Sequence, residues 1–297
     1  MKRAVIFGFV ALFLMPELAS AQSFFAMRRQ RSLILVGGIG TSSYFGELSN
    51  DGDYIQANPN VHAGLQYYLT RKIGVRVEAA WFQLSGSDSK ATPESARQPR
   101  NLSFHENNFE LSAVGIYNFF PQGRSFYQRP QFNVYGFGGI GLMYFNPTTD
   151  YQGKKYQLAP QHTELVSYSQ VIPVIPLGLG VRFKIGPFMN LSFEGGFRKT
   201  FTDYLDDVST VHHDASKFPT ALAYALSDRR PELGLTPAPD GYIRGNPKTD
   251  DAYMLYSVKL EYYLPVNFLQ GNRQQKTFKS KRKAFYRYNK KGGMKKR

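Results

Sequence analysis

The amino-acid sequence predicts an all-β protein, an eight-stranded antiparallel transmembrane β-barrel with long extracellular loops and a basic periplasmic C-terminal tail. Three observations support this fold class. Apolar and polar residues alternate with a period of two along segments of about 10 to 15 residues, whereas globular strands usually have about 5 or 6. Short and long connections alternate between these segments. Aromatic residues make up 15% of the chain, and they favour strands and membrane interfaces.

The N-terminal segment predicts a secretory signal peptide. Lys2 and Arg3 precede an apolar stretch from Ala4 to Met15, and the small residues at 19–21 match a signal-peptidase cleavage pattern. An N-terminal membrane anchor is the alternative, but the stretch is shorter than the roughly 20 residues that a spanning helix needs. We therefore expect a signal peptide at 1–21, an outer-membrane barrel at 22–265 and a flexible periplasmic tail at 266–297.

Eight strands follow from the alternation. It is clear in four segments, at 75–81, 177–183, 191–197 and 254–262. It is less regular in four more, which begin near Leu33, Asn60, Phe109 and Gln131. A tilted strand needs about 9 to 11 residues to cross a bilayer, so these segments are long enough to span it.

The connections between the strands alternate in length. Those at 70–74 and 185–188 are tight and that at 121–130 is moderate. The others are long, at 46–58, 86–103, 146–170 and 203–251. Short turns at one end and long loops at the other are typical of outer-membrane barrels.

A soluble β-sandwich or lipocalin-like barrel also has alternating strands, but its apolar face points inward. Two features favour the inverted arrangement. The apolar faces carry aromatic residues suited to membrane-interface girdles, namely Tyr67, Trp81, Tyr117, Tyr144, Phe201, Tyr256 and Tyr262. The opposite faces carry a lumen charge network of both signs, namely Arg76, Glu78, Glu110, Arg182, Glu194, Arg198, Lys259 and Glu261. Because eight strands enclose only enough room for side chains, we expect these charges to pair inside a filled barrel that contacts outer-membrane lipids.

A glycine-rich run, "GGIGTSSYFGEL" at 37–48, has to be distinguished from a phosphate-binding loop. Such a loop needs a Lys after its last Gly and a helix that begins there, and neither follows here. We expect the glycines to allow close backbone approach within the first strand. The chain has no cysteine, which excludes a thiolate metal site, and we expect no cofactor.

An enzymatic function is a weaker alternative. Some eight-stranded membrane barrels modify lipids with a Ser or His and an acid near the outer rim. The longest loop holds such residues, Ser209, His212, His213 and Asp214. Adjacent side chains point in different directions, so we predict no catalytic or metal-binding residue there.

Two further side-chain placements can be predicted. His62 lies among the inward-facing residues of the second strand and is expected to form hydrogen bonds in the lumen. In the longest loop, residues 216–229 predict a short surface helix with Phe218, Leu222 and Leu226 on one face, suited to cover the barrel mouth or to contact an external partner.

Three segments carry a resemblance to a known family: "GGIGTSSYFGEL", "NPNVHAGLQYYLTRKIGVRVEAAW" and "VYGFGGIGLMYFNP". They are similar to the PorG-type outer-membrane barrels of the type IX secretion system, the export and gliding apparatus of the Bacteroidota. The similarity covers the eight predicted strands, about residues 32–264. It implies a non-enzymatic barrel, without a catalytic motif, that anchors a periplasmic ring to the outer membrane. The ring is formed by a lipoprotein and its partner, of the PorK and PorN type.

The charge of the chain is concentrated in its tail. Residues 266–297 contain 12 Lys or Arg and no acidic residue, so +12 of the formal net charge of +15 lies there. An even number of strands places the tail in the periplasm with the N-terminus. We expect it to dock on the ring, another acidic periplasmic partner or acidic cell-wall polymer through Lys276, Lys279, Lys281, Arg282, Lys283, Arg287, Lys290 and Lys291.

Alternatives to these assignments remain open at this stage. The tail could be a disordered charged segment that only keeps the terminus soluble. A nucleic-acid partner is not expected, because an exported protein rarely meets one. A general structural or adhesive small barrel is the alternative function.

Overall fold

The computed structural model describes residues 32–50, 55–92, 95, 97–123 and 128–264. The barrel wall consists of β1 (Leu33–Phe45), β2 (Asn58–Tyr68), β3 (Ile73–Ser87), β4 (Ser103–Asn118), β5 (Phe132–Tyr144), β8 (Val171–Lys184), β9 (Met189–Lys199) and β10 (Ala252–Tyr263). The connection between β5 and β8 contains a hairpin of β6 (Thr148–Tyr151) and β7 (Lys154–Gln157). The helix α1 (Ala221–Ser227) lies in the connection between β9 and β10. The predicted signal peptide and tail lie outside the described residues.

The wall is a closed antiparallel barrel. Each wall strand pairs with its neighbours in the chain, and the first and last strands close the sheet over a register that runs from Ile34↔Tyr263 to Phe45↔Ala252. The predicted eight-stranded antiparallel barrel is therefore confirmed.

The two ends of the barrel differ in the length of their connections. One end has tight connections at 69–72 and 185–188 and a moderate one at 119–131, together with the start of β1 and the end of β10. The other end has the connections at 46–57, 88–102, 145–170 and 200–251, which we call the loop cap. In outer-membrane barrels the short turns face the periplasm and the longer loops face outward.

The outer face of the wall is apolar. Ile39, Leu111, Ile140 and Leu179 are 61%, 59%, 72% and 63% exposed. Each square ångström of apolar surface costs about 25 cal/mol in water, so a continuous belt of this kind is stable in lipid. No helix among the described residues has the length and apolar character needed to cross a membrane.

Aromatic side chains mark two levels of this belt. The register aligns Trp81 with Phe109 and Phe109 with Tyr144, which forms an upper row across β3, β4 and β5. In a lower row, Ile73 pairs with Tyr117. Ile73 and Trp81 are eight residues apart, about 26 Å along the strand and about 20 Å along the axis at the usual tilt, close to a typical apolar band. Trp81 lies inside β3 because β3 and β4 extend past the belt into the loop cap.

The inside of the barrel is filled in three layers. At the loop end, apolar side chains from the wall and the loops form one cluster, which includes Tyr44, Phe82, Met143, Leu205 and Tyr253. The charged residues are centred in the middle and overlap both end layers, since Arg198 pairs with Tyr253 and Glu261 with Val36 in the strand register. At the periplasmic end lie two small apolar clusters, one of Ile34, Val36 and Tyr263 and one of Val114, Ile116, Tyr135 and Phe137.

The glycine-rich strand segments permit close strand contact. A Cβ atom on Gly40 would overlap the carbonyl oxygen of Tyr256 in β10, and one on Gly139 would overlap that of Ala113 in β4. The run at 37–48 therefore serves the seam between β1 and β10.

Candidate functional site

The lumen charge network is centred in the middle of the barrel. All eight predicted side chains belong to the inner face of the wall, and none is more than 6% exposed. Charges so deeply buried are stable only when they are paired and hydrogen-bonded.

Four of these residues form the centre of the network. The Arg76 guanidinium donates to both carboxylate oxygens of Glu194 across the barrel, at 2.5 and 3.0 Å. Lys259 Nζ lies 2.7 Å from both oxygens of Glu78 and 2.7 Å from Glu194 Oε2. The two cations and two carboxylates come from β3, β9 and β10, so the cluster ties opposite walls together.

Neutral donors surround this centre. His62 Nδ1 lies 2.9 Å from Glu78 Oε1, and His62 Nε2 lies 2.9 Å from the Ser257 hydroxyl. The Tyr135 hydroxyl donates to Glu194 Oε1 at 2.6 Å. His62 therefore occupies a hydrogen-bonding position in the lumen.

The remaining four charges form two outlying pairs. Arg182 Nε lies 2.7 Å from Glu261 Oε2, which also accepts from Asn190 Nδ2 at 2.9 Å. Arg198 Nε lies 3.5 Å from Glu110 Oε2, which accepts from the Tyr253 hydroxyl at 2.8 Å. The pairs and their hydrogen bonds link strands around the barrel, which suits a structural role.

Most buried carboxylates of the loop cap also have cationic or several neutral donors. Asp88 accepts from Arg97 and Arg100. Glu164 pairs with Arg244 at 2.5 Å and accepts from the backbone N–H of Ser209 and Thr210. Burial alone would raise the pKa of Glu164, but Arg244 and these donors hold it below its ordinary value.

A second carboxylate group has no such cations. Glu47, Asp203, Asp206 and Asp251, which we call the acidic cluster, form no ion pair among the described residues. Asp251 Oδ1 accepts from the Tyr44 hydroxyl at 2.6 Å and Oδ2 from the Leu205 N–H at 2.9 Å. Asp206 accepts from the Leu48 and Val208 N–H groups, at 3.2 and 2.9 Å.

Of the other oxygens of the acidic cluster, Glu47 Oε1 accepts from the Asn246 N–H at 3.2 Å, and three lack such donors. Neither carboxylate oxygen of Asp203 makes a hydrogen bond of regular geometry in the described part of the chain, although the Ser209 side chain interacts with this carboxylate, and Glu47 Oε2 is also buried without a hydrogen bond. Oxygen atoms of Glu47, Asp203 and Asp251 all lie within 4.8 Å of one another. Three carboxylates in one buried space repel each other unless protons or a cation neutralise them.

The electrostatic consequence is a set of raised pKa values. Burial and the Asp203 charge raise the pKa of Glu47 to about 7, and burial and the Asp206 charge raise that of Asp203 to about 7. Burial and Glu47 raise the pKa of Asp206 to about 8. Burial and Asp206 also raise the pKa of Asp251. The site therefore favours a neutralised form near neutral pH.

The candidate residues of the longest loop do not converge. The His212 ring is buried beside Tyr242, with the ring centroids 6.3 Å apart, whereas His213 Nδ1 lies 3.6 Å from the exposed Asp240. The Ser209 N–H donates to Glu164 and Asp214 is exposed. The structure does not bring a Ser, a His and an acid from this group together.

The predicted helix of this loop is shorter than expected. It begins at Ala221 because Pro219 interrupts the pattern and Thr220 is the N-cap, whose hydroxyl accepts from the Ala223 N–H at 3.1 Å. Phe218 therefore lies outside the helix, which corrects the prediction for that residue. Leu226 is buried and Leu222 is partly buried against the loop-end cluster, so α1 does cover the barrel mouth.

The acidic cluster was missed in the sequence because its members come from distant loops. The expected closure of the barrel could have located the cluster. Since β1 pairs with β10 and β10 with β9, residues just beyond their last paired positions share one rim. Glu47, Asp203 and Asp251 all lie within four residues of those positions.

A closed barrel with an apolar belt outside and ion pairs inside defines the class of protein: a small β-barrel of the outer membrane. The chain belongs to the family described as "Domain of unknown function (DUF6089)", whose model matches residues 15–220. No curated protein matches the chain significantly.

Solved outer-membrane barrels are similar in outline. The N-terminal β-barrel domain of Pseudomonas aeruginosa OprF is 8% identical, with 79% of this chain and 98% of that chain covered and a TM-score of 0.37. Ail, the attachment invasion locus protein of Yersinia pestis, is 10% identical, with 79% of this chain and 99% of that chain covered and a TM-score of 0.39. The outer membrane enzyme PagL is 12% identical, with 78% of this chain and 99% of that chain covered and a TM-score of 0.31. At these scores the likenesses carry no argument about function.

Proposed function

We propose that this barrel is a non-enzymatic component of the type IX protein secretion machinery that anchors the periplasmic ring complex to the outer membrane. The observation that carries the proposal is the filled lumen. A barrel filled with side chains along its length does not pass solutes. Its function would therefore be to bind partners at its two ends. The sequence resemblance to PorG-type barrels supplies the identity of the machine.

The periplasmic end is the part that would meet the ring. It has two tight turns and one moderate connection, and both the start of β1 and the end of β10 lie there. The tail that follows β10 is the largest candidate contact at this end, with 12 basic residues and no acidic one. Long-range attraction to an acidic partner would bring the ring to the barrel.

The test is a mild-detergent pull-down of the full-length protein from its own envelope, with mass spectrometry of the proteins retained. We expect a periplasmic lipoprotein and a ring partner. Truncation after Gly271, or Gln at the eight basic tail positions named above, should release them and reduce secretion. A matched control is Gln at Lys154 and Lys155, exposed at the opposite end, which should retain the ring. Recovery of the folded barrel alone would contradict the proposal.

A specific feature favours a second candidate, an adhesive barrel. The long loop exposes Leu233, Leu235, Tyr242 and Ile243 at the loop end, with Ile243 74% exposed. Apolar groups in that position can contact an external partner. Ser at these four positions should reduce cell attachment and leave secretion unchanged if adhesion is the function.

A further inference from the structure

We propose that the acidic cluster of the loop cap contains a calcium-binding site, with Glu47, Asp203 and Asp251 as its protein ligands. Nothing in the secretion proposal requires such a site, and the two can fail independently.

The carboxylate of Asp203 is buried with too few donors. The residue is only 8% exposed, yet neither carboxylate oxygen makes a hydrogen bond of regular geometry among the described residues, and only the Ser209 side chain interacts with it favourably. Burying a carboxylate without a partner costs several kcal/mol, and native proteins avoid it. Two other buried carboxylates of the same cap are paired with cations: Asp88 with Arg97 and Arg100, and Glu164 with Arg244. A cation bound at Asp203 would remove the exception.

The spacing of the oxygens supports the same site. Ligand atoms of Glu47, Asp203 and Asp251 are mutually within 4.8 Å. Calcium binds oxygens at about 2.3 to 2.6 Å, so oxygens on one ion are separated by at most about 5 Å. The three carboxylates can therefore contact the same ion without rearrangement of the backbone.

Ligand chemistry narrows the choice of ion. The cluster offers only carboxylate oxygens, and the chain has no cysteine, which favours a hard cation over zinc or copper. Gly46 lets the backbone approach the cluster closely, since a Cβ there would overlap Asp251 Oδ1 and the Tyr44 hydroxyl. Ligands from three irregular loop segments suit the flexible coordination of Ca²⁺ better than the strict octahedron of Mg²⁺.

The bound ion would join three separate parts of the chain. Glu47 follows β1, Asp203 follows β9 and Asp251 precedes β10, so the ion would clamp the base of the longest loop to the rim of the barrel. Extracellular calcium-binding domains bind Ca²⁺ with dissociation constants of about 10⁻⁴ to 10⁻³ M, and we expect an affinity in this range here.

The test uses full-length protein refolded in detergent without lipopolysaccharide, which itself binds divalent cations. After removal of metal with a chelator, millimolar Ca²⁺ should raise the melting temperature and protect the loop at 200–251 from protease. Terbium should bind competitively and luminesce through energy transfer from Tyr44, whose hydroxyl contacts Asp251.

Two variants make the result decisive. Asp203→Asn should lower Ca²⁺ affinity by at least about tenfold, because even loss of an outer-shell partner usually costs that much. It should fold without metal, since it removes an unpaired buried charge. Asp240→Asn, an exposed carboxylate of the same loop paired with Lys217, should keep the wild-type response. A Ca²⁺ shift that persists in Asp203→Asn, no shift in the folded wild type, or an equal shift with Mg²⁺ would each overturn the proposal.

Discussion

At the residue scale, the barrel interior depends on single charges whose removal leaves their partners uncompensated. Lys259 is 1% exposed and contacts the carboxylates of both Glu78 and Glu194. A buried ion pair adds little net stability over an apolar pair, but the loss of one partner leaves the other charge buried and uncompensated. The network is therefore more sensitive to single substitutions than to coordinated ones.

Lys259→Met should lower the free energy of unfolding by about 3 to 5 kcal/mol, because it leaves two buried carboxylates with Arg76 as their main cation. Urea unfolding in detergent, followed by heat-modifiable gel mobility, measures the change. The matched control is Lys199→Met, whose ion pair with Asp250 is about half exposed and should be worth less than about 1 kcal/mol. Similar losses for both variants would contradict the structural role of the network.

His212 gives the loop cap a pH dependence of its own. Burial and the Arg244 charge lower its pKa to about 4, from an ordinary value of about 6.5. Between these values the unfolded cap binds the proton and the folded cap does not, so stability falls as the pH decreases from about 6.5 through about 4.

His212→Asn should remove this component. Hydrogen exchange of the loop at 200–251, measured in chelator from pH 7 to pH 4, reports cap opening. The raised pKa values of the acidic cluster act in the opposite direction over part of this range, so the quantity to compare is the difference between wild type and variant. Parallel pH profiles for the two proteins would show that His212 does not contribute.

At the element scale, the seam between β1 and β10 explains why the first strand is rich in glycine. Gly40 faces the inside of the barrel at a point where the β10 backbone leaves no space for a side chain, whereas Gly37 faces outward, with its nearest non-local atom 4.0 Å from a Cβ position. Both residues belong to the same glycine-rich run, but only position 37 has space for a side chain.

Gly40→Ala should therefore impair barrel closure, at a cost of about 1 to 3 kcal/mol or more. Gly37→Ala should be tolerated. Folding yield into detergent micelles and the urea midpoint distinguish the two variants. Equal behaviour would show that the glycine run is not needed for the seam.

Much of this architecture could be predicted from the sequence because strand period and connection length are local signals. The alternation of Val75 to Trp81 and the tight turn after Thr70 specify a spanning hairpin without tertiary information. The acidic cluster could not be predicted in this way. Glu47 and Asp251 are separated by about two hundred residues, and only the barrel closure brings them together.

At the scale of the whole molecule, the loop cap and the lumen form one continuous filling. The loop-end cluster joins side chains of the wall, such as Phe82 and Tyr253, to Leu205 and Leu226 of the longest loop. Below it, the central ion pairs close the middle of the barrel. An eight-stranded wall has no spare cross-section for water beside side chains of this size.

The protein should therefore not conduct ions. In planar bilayers with concentrated KCl, full-length protein should give no stable single-channel steps. Replacement of residues 204–250 by a short Gly-Ser linker should also fail to open a channel, because the charged layer and the periplasmic clusters lie within the wall strands and remain in place. Heat-modifiable mobility would verify that this variant is folded. Porin-like conductance from the wild type would contradict a filled lumen and, with it, the inference that the barrel acts through what its ends hold. Conductance from the loop replacement alone would instead show that the cap is the only seal, and that a bound cation at its base could control it.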